Sequence, residues 1–481
     1  MQQSVAIARA FPTPPLVVDL DGTLVRTDLL AQSFFGLLAS RPIRALGALV
    51  ALLRGKAAFK AALAGQVDLD CAALPFNPEL LAFIRAEHAK GRAIYLASAS
   101  DRRLVDAVAT ALGLFAGVFA SDGATNLAGA AKARALCDAF GVGGFDYAGN
   151  ARVDLAVWEK ARGVWLAGAG PRLQRRVVAR FPDARIVDPS RRQVSDYFRT
   201  LRVHQWLKNL LIFVPAATAH RLTPMAVLVL ALAFLSFSLC ASSAYIANDL
   251  LDLGNDRAHL RKRDRPLASG RVPLGHALAL LPLLLVSAVA LTWPLPHDFL
   301  ALLAGYYALT MGYSLVLKRK VMVDVVTLAC LYGVRLAAGA VAVAVPLSPW
   351  FVAFSVFFFL CLALVKRCTE ITDRVAKGNG NPRGRGYIQR DLPMLEAMAA
   401  GTGYVAIMIF ALYINSPAVT ALYRSPEYLW AICLVLFYWI SRVLLLTHRG
   451  EMHDDPVVFA VTDLKSLVCG VLIVVIGVLG I

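Results

Sequence analysis

The sequence has no C-x-x-C pair, and its eight cysteines, at 71, 137, 240, 330, 361, 368, 433 and 469, are scattered, several of them inside apolar runs. That excludes a zinc or disulfide framework and reads as reduced, packing cysteines. Charge is also scarce, at 17% of 481 residues, and acidic side chains are the scarcer kind, 32 against 49 basic. With 58% hydrophobic residues, so little charge excludes an ordinary soluble protein, while the length allows several domains. The formal net charge of +17 suits nucleic acid, or an anionic membrane with anionic substrates, so the position of the charges must decide. The first 24 residues lack a basic region followed by a long apolar core and a small-residue cleavage site, and no secretory signal is expected.

Two compositions divide the chain. Residues 1–189 alternate short apolar runs ("PLVVDL", "AIYLAS", "GVFAS", "FDYAG", "GVWLAG") with helical stretches such as "PELLAFIRAEHAKG" and "DRRLVDAVATALG". That pattern predicts a Rossmann-like α/β domain, a parallel sheet wrapped by helices. Within it, residues 24–92 hold a mostly helical insertion, apolar with basic punctuation, which reads either as a substrate cap or as a membrane-surface helix. A basic linker follows at 190–203. From 204 to 481 the pattern predicts an all-α polytopic membrane domain of about nine segments, each near the roughly 20 residues that cross a bilayer. They fall near 205–222, 225–247, 274–294, 298–317, 321–345, 349–365, 394–415, 428–446 and 457–480.

Lysine and arginine then indicate orientation. The loops after the second, fourth and sixth predicted segments carry six, three and seven of them, whereas the opposite loops show Arg221 and Arg424. Basic excess marks cytoplasmic loops. The expected location is therefore the bacterial inner membrane, multi-pass, with the amino-terminal domain cytoplasmic, membrane lipids as partners and no nucleic acid.

"VVDLDGTL" is a strand ending in Asp19 and followed by Asp21 and Thr23. Two carboxylates two residues apart at a strand's carboxyl end can divide labour, one attacking phosphorus while the other moves the leaving group's proton. "IYLASAS" supplies Ser98, "NLAGAAKARAL" supplies Lys132, and "YAGNARVDL" supplies Asn150 and Asp154. In this order the motifs resemble those of haloacid dehalogenase (HAD)-type phosphohydrolases, over most of residues 14–185. The resemblance implies a HAD domain with a helical cap, Asp19 as the nucleophile, Asp21 as general acid and base, Thr23 and Ser98 as phosphate ligands, and Lys132 balancing the phosphoryl charge. It implies Mg²⁺ at Asp19, Asp21, Asn150 and Asp154. Asn150 departs from the pattern, standing where many members carry the first aspartate of a G-D-x-x-x-D turn. A P-type pump also pairs a catalytic aspartate with membrane helices, but its D-K-T-G-T motif is missing.

At the end of the second apolar segment, "AYIANDLLDLGNDRAHLRKRDRPLASG" (Ala244–Gly270) places Asn248, Asp249, Asp252 and Asp256 in the pattern N-D-x-x-D-x-x-x-D. On one helix, positions i, i+3 and i+7 share a face, so the three carboxylates can converge. Clustered carboxylates call for cations, and hard oxygen ligands favour Mg²⁺ shared with a substrate's phosphates. Acidic residues at membrane depth are costly and read as functional. Nearby Arg257, Lys262, Arg263 and Arg265 can bind phosphate oxygens or lipid headgroups.

The pattern resembles UbiA-type intramembrane transferases. That resemblance implies the UbiA fold, with Asp249, Asp252 and Asp256 holding a Mg²⁺-diphosphate. The second acidic site usual there is replaced by Lys366, Arg367, Glu370 and Asp373 in "LVKRCTEITDR". Together with "RTLRVHQWLKN", "YSLVLKRKVMVDV" and "VRLAAGAVAVAVPLSPWF", residues 197–480 resemble the branch of phosphoribosyltransferases acting on decaprenyl phosphate. This implies phosphoribosyl pyrophosphate and a polyprenyl phosphate as substrates, Asn248 and Tyr313 orienting them, and Lys208, Lys262, Arg265, Lys318, Lys366, Arg367 and Glu370 around the phosphates. Two successive steps are then expected: phosphoribosyl transfer to the lipid, and removal of the 5-phosphate by the amino-terminal domain. The alternative is a prenyltransferase joining a polyprenyl diphosphate to an aromatic acceptor; a transporter or scaffold with a degenerate HAD domain is a third reading. "HRGEMHDDP" adds His453, Asp454 and Asp455 as further candidates, and assembly into a homo-oligomer stays open.

Overall fold

A computed structural model describes residues 13–67, 70–122, 125–188, 193–259, 262–376, 386–420, 422–452 and 455–481. His453 and Asp454 lie outside them, as do parts of two basic loops, residues 260–261 and 377–385. The chain divides into two compact units: Met1–Leu201 with Ile246–Leu280, and Arg202–Tyr245 with Leu281–Ile481.

In the first unit the five apolar runs become strands: β1 (Leu16–Asp19), β2 (Ile94–Asp101), β3 (Gly117–Ser121), β4 (Asp146–Gly149) and β5 (Gly163–Ala167). A sixth strand, β6 (Arg185–Asp188), joins at the edge, where Arg185 and Ile186 stay exposed and its pattern is too polar to announce itself. All pairings are parallel and the order is β3-β2-β1-β4-β5-β6. Alternation along β1 sends Leu16 and Val18 into one core with Leu96, Val105 and Ile84, and Val17 into the other with Tyr147, Leu136 and Trp158. With β2 on one side of β1 and β4 on the other, a crevice opens beyond the carboxyl ends of the strands. Asp19 is the last residue of β1.

Residues 24–92 carry the helices Leu29–Ser40, Pro42–Val50, Lys56–Ala64 and Pro78–Ala89. Asp28 caps the first, its side chain accepting from Ala31 N at 2.9 Å, and Asn77 caps the last.

The second unit is helical and indicates a multi-pass membrane protein, but the expectation of nine spans is corrected. Among the described residues five helices are long and apolar enough to cross a bilayer: Pro224–Leu251, Val323–Ala342, Pro349–Val375, Gln389–Ile414 and Pro426–His448. A sixth exists if the pair Pro456–Thr462 and Leu464–Gly480, bent by 78°, counts as one span. The physical reasons are local. Residues 205–222 wind into a 3₁₀ segment, Val203–Phe213, and the five-residue helix Val214–Thr218. The Leu274–Ala290 helix stops at 17 residues. His297–Leu315 carries Asp298, Tyr306, Tyr307, Thr310, Tyr313 and Ser314, which dilute its apolar character. The fold expectation is also corrected for the amino-terminal part: a parallel α/β sheet is what the structure establishes there, and not a HAD fold as such.

Trp158 is 1% exposed and donates its indole N–H to the Tyr147 carbonyl at 3.3 Å. Truncating it leaves a large void under β4. Trp158→Ala is expected to destabilise the first unit by about 3–5 kcal/mol, read as a lowered first unfolding transition of the full chain in detergent, with the helical unit's transition unmoved.

Candidate active sites

The end of β1 is built on buried charge. The Asp19 carboxylate accepts from Lys132 Nζ at 2.7 Å on one oxygen and from the Thr23 hydroxyl at 2.9 Å on the other. Lys132 also donates to the Ala97 carbonyl at 3.2 Å and to the Tyr147 hydroxyl at 3.0 Å. Tyr147 in turn donates to Asp154 at 3.0 Å, whose second oxygen accepts from the backbone N–H groups of Asn150 and Ala151 at 3.1 and 2.9 Å. Asp19, Lys132 and Asp154 are all nearly buried. Burial alone would push Lys132 toward its neutral form, but Asp19 and Asp154 outweigh it and raise its pKa, so the ammonium persists. Burial, followed by the Asp19 charge, raises the pKa of Asp154. Asn150 closes the site from the next turn: at Gly22, which has φ +78°, an added Cβ would stand 2.2 Å from its Nδ2.

Asp21 is held apart from this pair. Its Oδ2 accepts from the Ser98 and Ser100 hydroxyls at 2.9 and 2.7 Å, and its Oδ1 from Leu29 N at 2.8 Å. Burial, reinforced by Asp28, raises its pKa to about 6. A carboxyl that gains and loses its proton near pH 6, two residues from a second carboxyl group, is placed to move a proton in chemistry on a phosphoester.

The acidic run Asn248–Asp256 belongs to the first unit. The expected single helix is broken: Pro224–Leu251 ends, and Leu253–Arg257 begins with Asp252 at its N-cap. Asp249 and Asp256, both buried, nevertheless meet on one nitrogen, Arg265 Nη1, at 3.2 and 2.6 Å. Burial raises the Asp256 pKa against the opposing charge of Arg265. Asn248 and Asp252 are half-buried and Lys262 is exposed. Two hard oxygen ligands already gathered on a cation fit a divalent ion. Among the described residues no three His, Cys, Asp or Glu side chains gather as a metal site by themselves.

The second unit gathers most of the remaining expected residues into two ion-paired groups. Lys208 and Lys366 share Asp455, Lys366 at 3.3 Å. Arg367 pairs with Asp324 at 2.7 Å and with Glu370, and donates to the Tyr313 hydroxyl at 3.1 Å. Lys318 is half-buried on the turn Leu317–Arg319. A groove lined by Cys368, Glu396, Tyr404 and His448 contains none of the expected site residues.

Several participants were missed. Ser100 follows Ser98 by two positions on a strand and so shares its face, a signal that could have been used. Arg335 sits in the middle of the apolar run "LYGVRLAAG", where a lone charge reads as functional. It is 4% exposed and donates to Asn209 at 2.8 Å, to the Tyr306 hydroxyl at 3.0 Å and to the Leu331 carbonyl. Tyr147, Asp324 and Tyr387, whose hydroxyl donates to Asp324 at 2.5 Å, carry no local signal.

Membrane-length helices with an N-D-x-x-D-x-x-x-D run where one of them ends define a multi-pass membrane transferase. The UbiA prenyltransferase family model matches residues 210–465, just over half of the sequence, and the chain belongs to that family. Protein y4nM of Sinorhizobium fredii is 36% identical over 463 residues, 95% of this chain and 89% of that protein, so it shares both units. Nodulation protein NoeC of Azorhizobium caulinodans is 35% identical over 278 residues, 57% of this chain and 89% of that one. Decaprenyl-phosphate phosphoribosyltransferase of Mycolicibacterium smegmatis is 35% identical over 189 residues, 38% of this chain and 59% of that enzyme.

The raised pKa of Asp21 carries a stability consequence. A carboxyl whose pKa is higher folded than unfolded binds more protons when folded, so stability falls as pH rises from about 4 to 6. With divalent metal chelated, Asp21→Asn is expected to flatten that slope and to stabilise the first unit at pH 7 by up to about 2 kcal/mol, as measured by denaturant titration across pH.

Proposed function

We propose that this protein transfers 5-phosphoribose from phosphoribosyl pyrophosphate to a polyprenyl phosphate and then removes the 5-phosphate, leaving a polyprenyl-phosphoryl-ribose. The observation that carries the first step is the pair of buried carboxylates, Asp249 in the last turn of a membrane-length helix and Asp256 beyond its end, brought together onto Arg265. Phosphoribosyl pyrophosphate carries more phosphate than a prenyl diphosphate, and the cationic Lys208, Lys366 and Arg367 suit that extra charge. The 35% identity to a decaprenyl-phosphate phosphoribosyltransferase supports the same choice. Asp249, Asp252 and Asp256 would hold Mg²⁺, which when bound draws charge from the pyrophosphate. Arg265, Lys262 and Lys318 grip phosphate oxygens, Asn248 and Tyr313 orient the substrates, and Glu370 holds Arg367 in place. The lipid phosphate oxygen attacks the ribose C1, the C1–O bond to pyrophosphate breaks, and no protein nucleophile is needed.

In the second step Asp19 attacks the 5-phosphate. The phosphorus–oxygen ester bond breaks, Asp21 gives its proton to the departing 5-hydroxyl, and Asp19 carries the phosphoryl group. Asp21 then takes a proton from the water that releases inorganic phosphate. Lys132 balances the charge, Thr23 and Ser98 donate hydrogen bonds, and Asp19, Asp21, Asn150 and Asp154 are the residues that would hold a second Mg²⁺, which when bound would neutralise phosphoryl charge. This is the HAD-type chemistry that the motif order implies. Both substrates are reached from the cytoplasmic face of a bacterial inner membrane, in keeping with the basic loops.

The test uses the full chain with Mg²⁺, labelled phosphoribosyl pyrophosphate and a polyprenyl phosphate. Asp19→Asn should still form lipid-linked phosphoribose but lose release of the 5-phosphate by about a thousandfold or more. Equal release in both would end the phosphatase assignment. Asp249→Asn should abolish incorporation of label, and turnover of a labelled prenyl diphosphate instead would favour quinone-type prenyl transfer.

A further inference from the structure

The helices of the 24–92 insertion leave one stripe unpartnered. Along Pro42–Val50 and the 3₁₀ turn Ala51–Arg54 that continues it, Ile43, Leu46, Val50 and Leu53 are 84%, 59%, 63% and 88% exposed. Their spacing of three and four residues puts them on one side. The other side is satisfied, because Ala45 and Ala48 pack against Leu37, Phe59 and Leu63. A run of large aliphatic side chains this exposed marks an interaction surface.

Charge identifies the partner. Residues 29–67 contain no Asp or Glu and five basic residues, Arg41, Arg44, Arg54, Lys56 and Lys60. Arg41, Arg44 and Arg54 are exposed at the two ends of the stripe. A second copy of this surface would bring like charge against like, whereas an anionic bilayer offers hydrocarbon to the stripe and phosphate to its ends.

The insertion is also tied to the stretch of chain that follows a membrane-length helix. Its Leu29–Ser40 helix packs on Leu253–Arg257, with Gln32 accepting a hydrogen bond from Arg257. Gly270 lies so close to residue 26 that a Cβ would meet the Arg26 carbonyl oxygen at 2.2 Å. Leu253 is two residues, about 7 Å of chain, beyond the end of the membrane-length Pro224–Leu251 helix. The insertion is thus held against a segment that begins where the chain leaves the bilayer.

We propose that Pro42–Arg54 is an interfacial helix that docks Ile43, Leu46, Val50 and Leu53 into the anionic leaflet, with Arg41, Arg44 and Arg54 on lipid phosphates. It makes the amino-terminal unit a second, reversible membrane contact, independent of which reaction the chain catalyses.

The experiment places the full chain at one copy per lipid nanodisc, with the native cysteines replaced and a nitroxide at Leu53→Cys or, as a control, at Val142→Cys, an exposed position away from the stripe. Collision with oxygen against a water-soluble nickel chelate reports immersion. In discs containing phosphatidylglycerol the Leu53 label should collide preferentially with oxygen and the Val142 label with nickel. Changing Arg41, Arg44 and Arg54 to Gln should lower the immersed-to-free ratio roughly fivefold per arginine. In the unsubstituted chain, hydrogen exchange of residues 42–54 should be slower in phosphatidylglycerol discs than in phosphatidylcholine discs. Equal aqueous exposure of the two labels, or identical exchange in both lipids, would each overturn the proposal.

Discussion

Carboxylates gathered away from water require a cation, and the chain meets that requirement repeatedly with its own side chains. Lys132 satisfies Asp19 and, through Tyr147, Asp154; Arg265 joins Asp249 to Asp256; Arg367 joins Asp324 to Glu370; Lys208 and Lys366 converge on Asp455. Each pair leaves charges of both signs pre-positioned in a confined, partly dehydrated space. In the proposed reactions, phosphate and metal would exchange one set of ion partners for another, which avoids creating a buried charge from nothing.

The two kinds of site differ in how rigidly this is done. At the end of β1 the charged groups sit on the strand itself, on the helix Ala130–Phe140 and on the turn after β4, packed on both sheet faces, and Asp154 is fixed by two backbone N–H groups. In the acidic run the helix breaks between Leu251 and Leu253, and Arg265, nine positions beyond Asp256, closes the group. A broken helix exposes backbone and turns side chains that a continuous helix would align. It is tolerated where the chain leaves the apolar layer, because there water and ligands satisfy the freed groups.

Much of the first unit was legible in the sequence. Strand runs such as "PLVVDL" and "AIYLAS" are short, apolar and bounded by turn residues, and a central parallel strand buried on both faces has few other ways to be written. The edge strand β6 lacked that signature because one side of it meets solvent. Hydropathy over-counted the spans because an apolar run does not state its own winding: Val203–Phe213 forms 3₁₀ structure, and the short helix Pro456–Thr462 meets Leu464–Gly480 at 78° about Asp463 rather than continuing it.

The sequence by itself determined the chemical inventory: the spacing of Asp19 and Asp21, the N-D-x-x-D-x-x-x-D run, the basic loops and the division into an α/β part and a helical part. These are local in chain and depend on period and residue type alone. Only the tertiary structure decided which charges meet. Lys132 reaches Asp19 across 113 residues of sequence, Arg335 reaches Asn209 across 126, and Lys208 reaches Asp455 across 247. No periodicity encodes such pairings, because they arise from packing between elements distant in the chain, and the same holds for the exposure of Ile43 and Leu53, which only a folded surface can reveal.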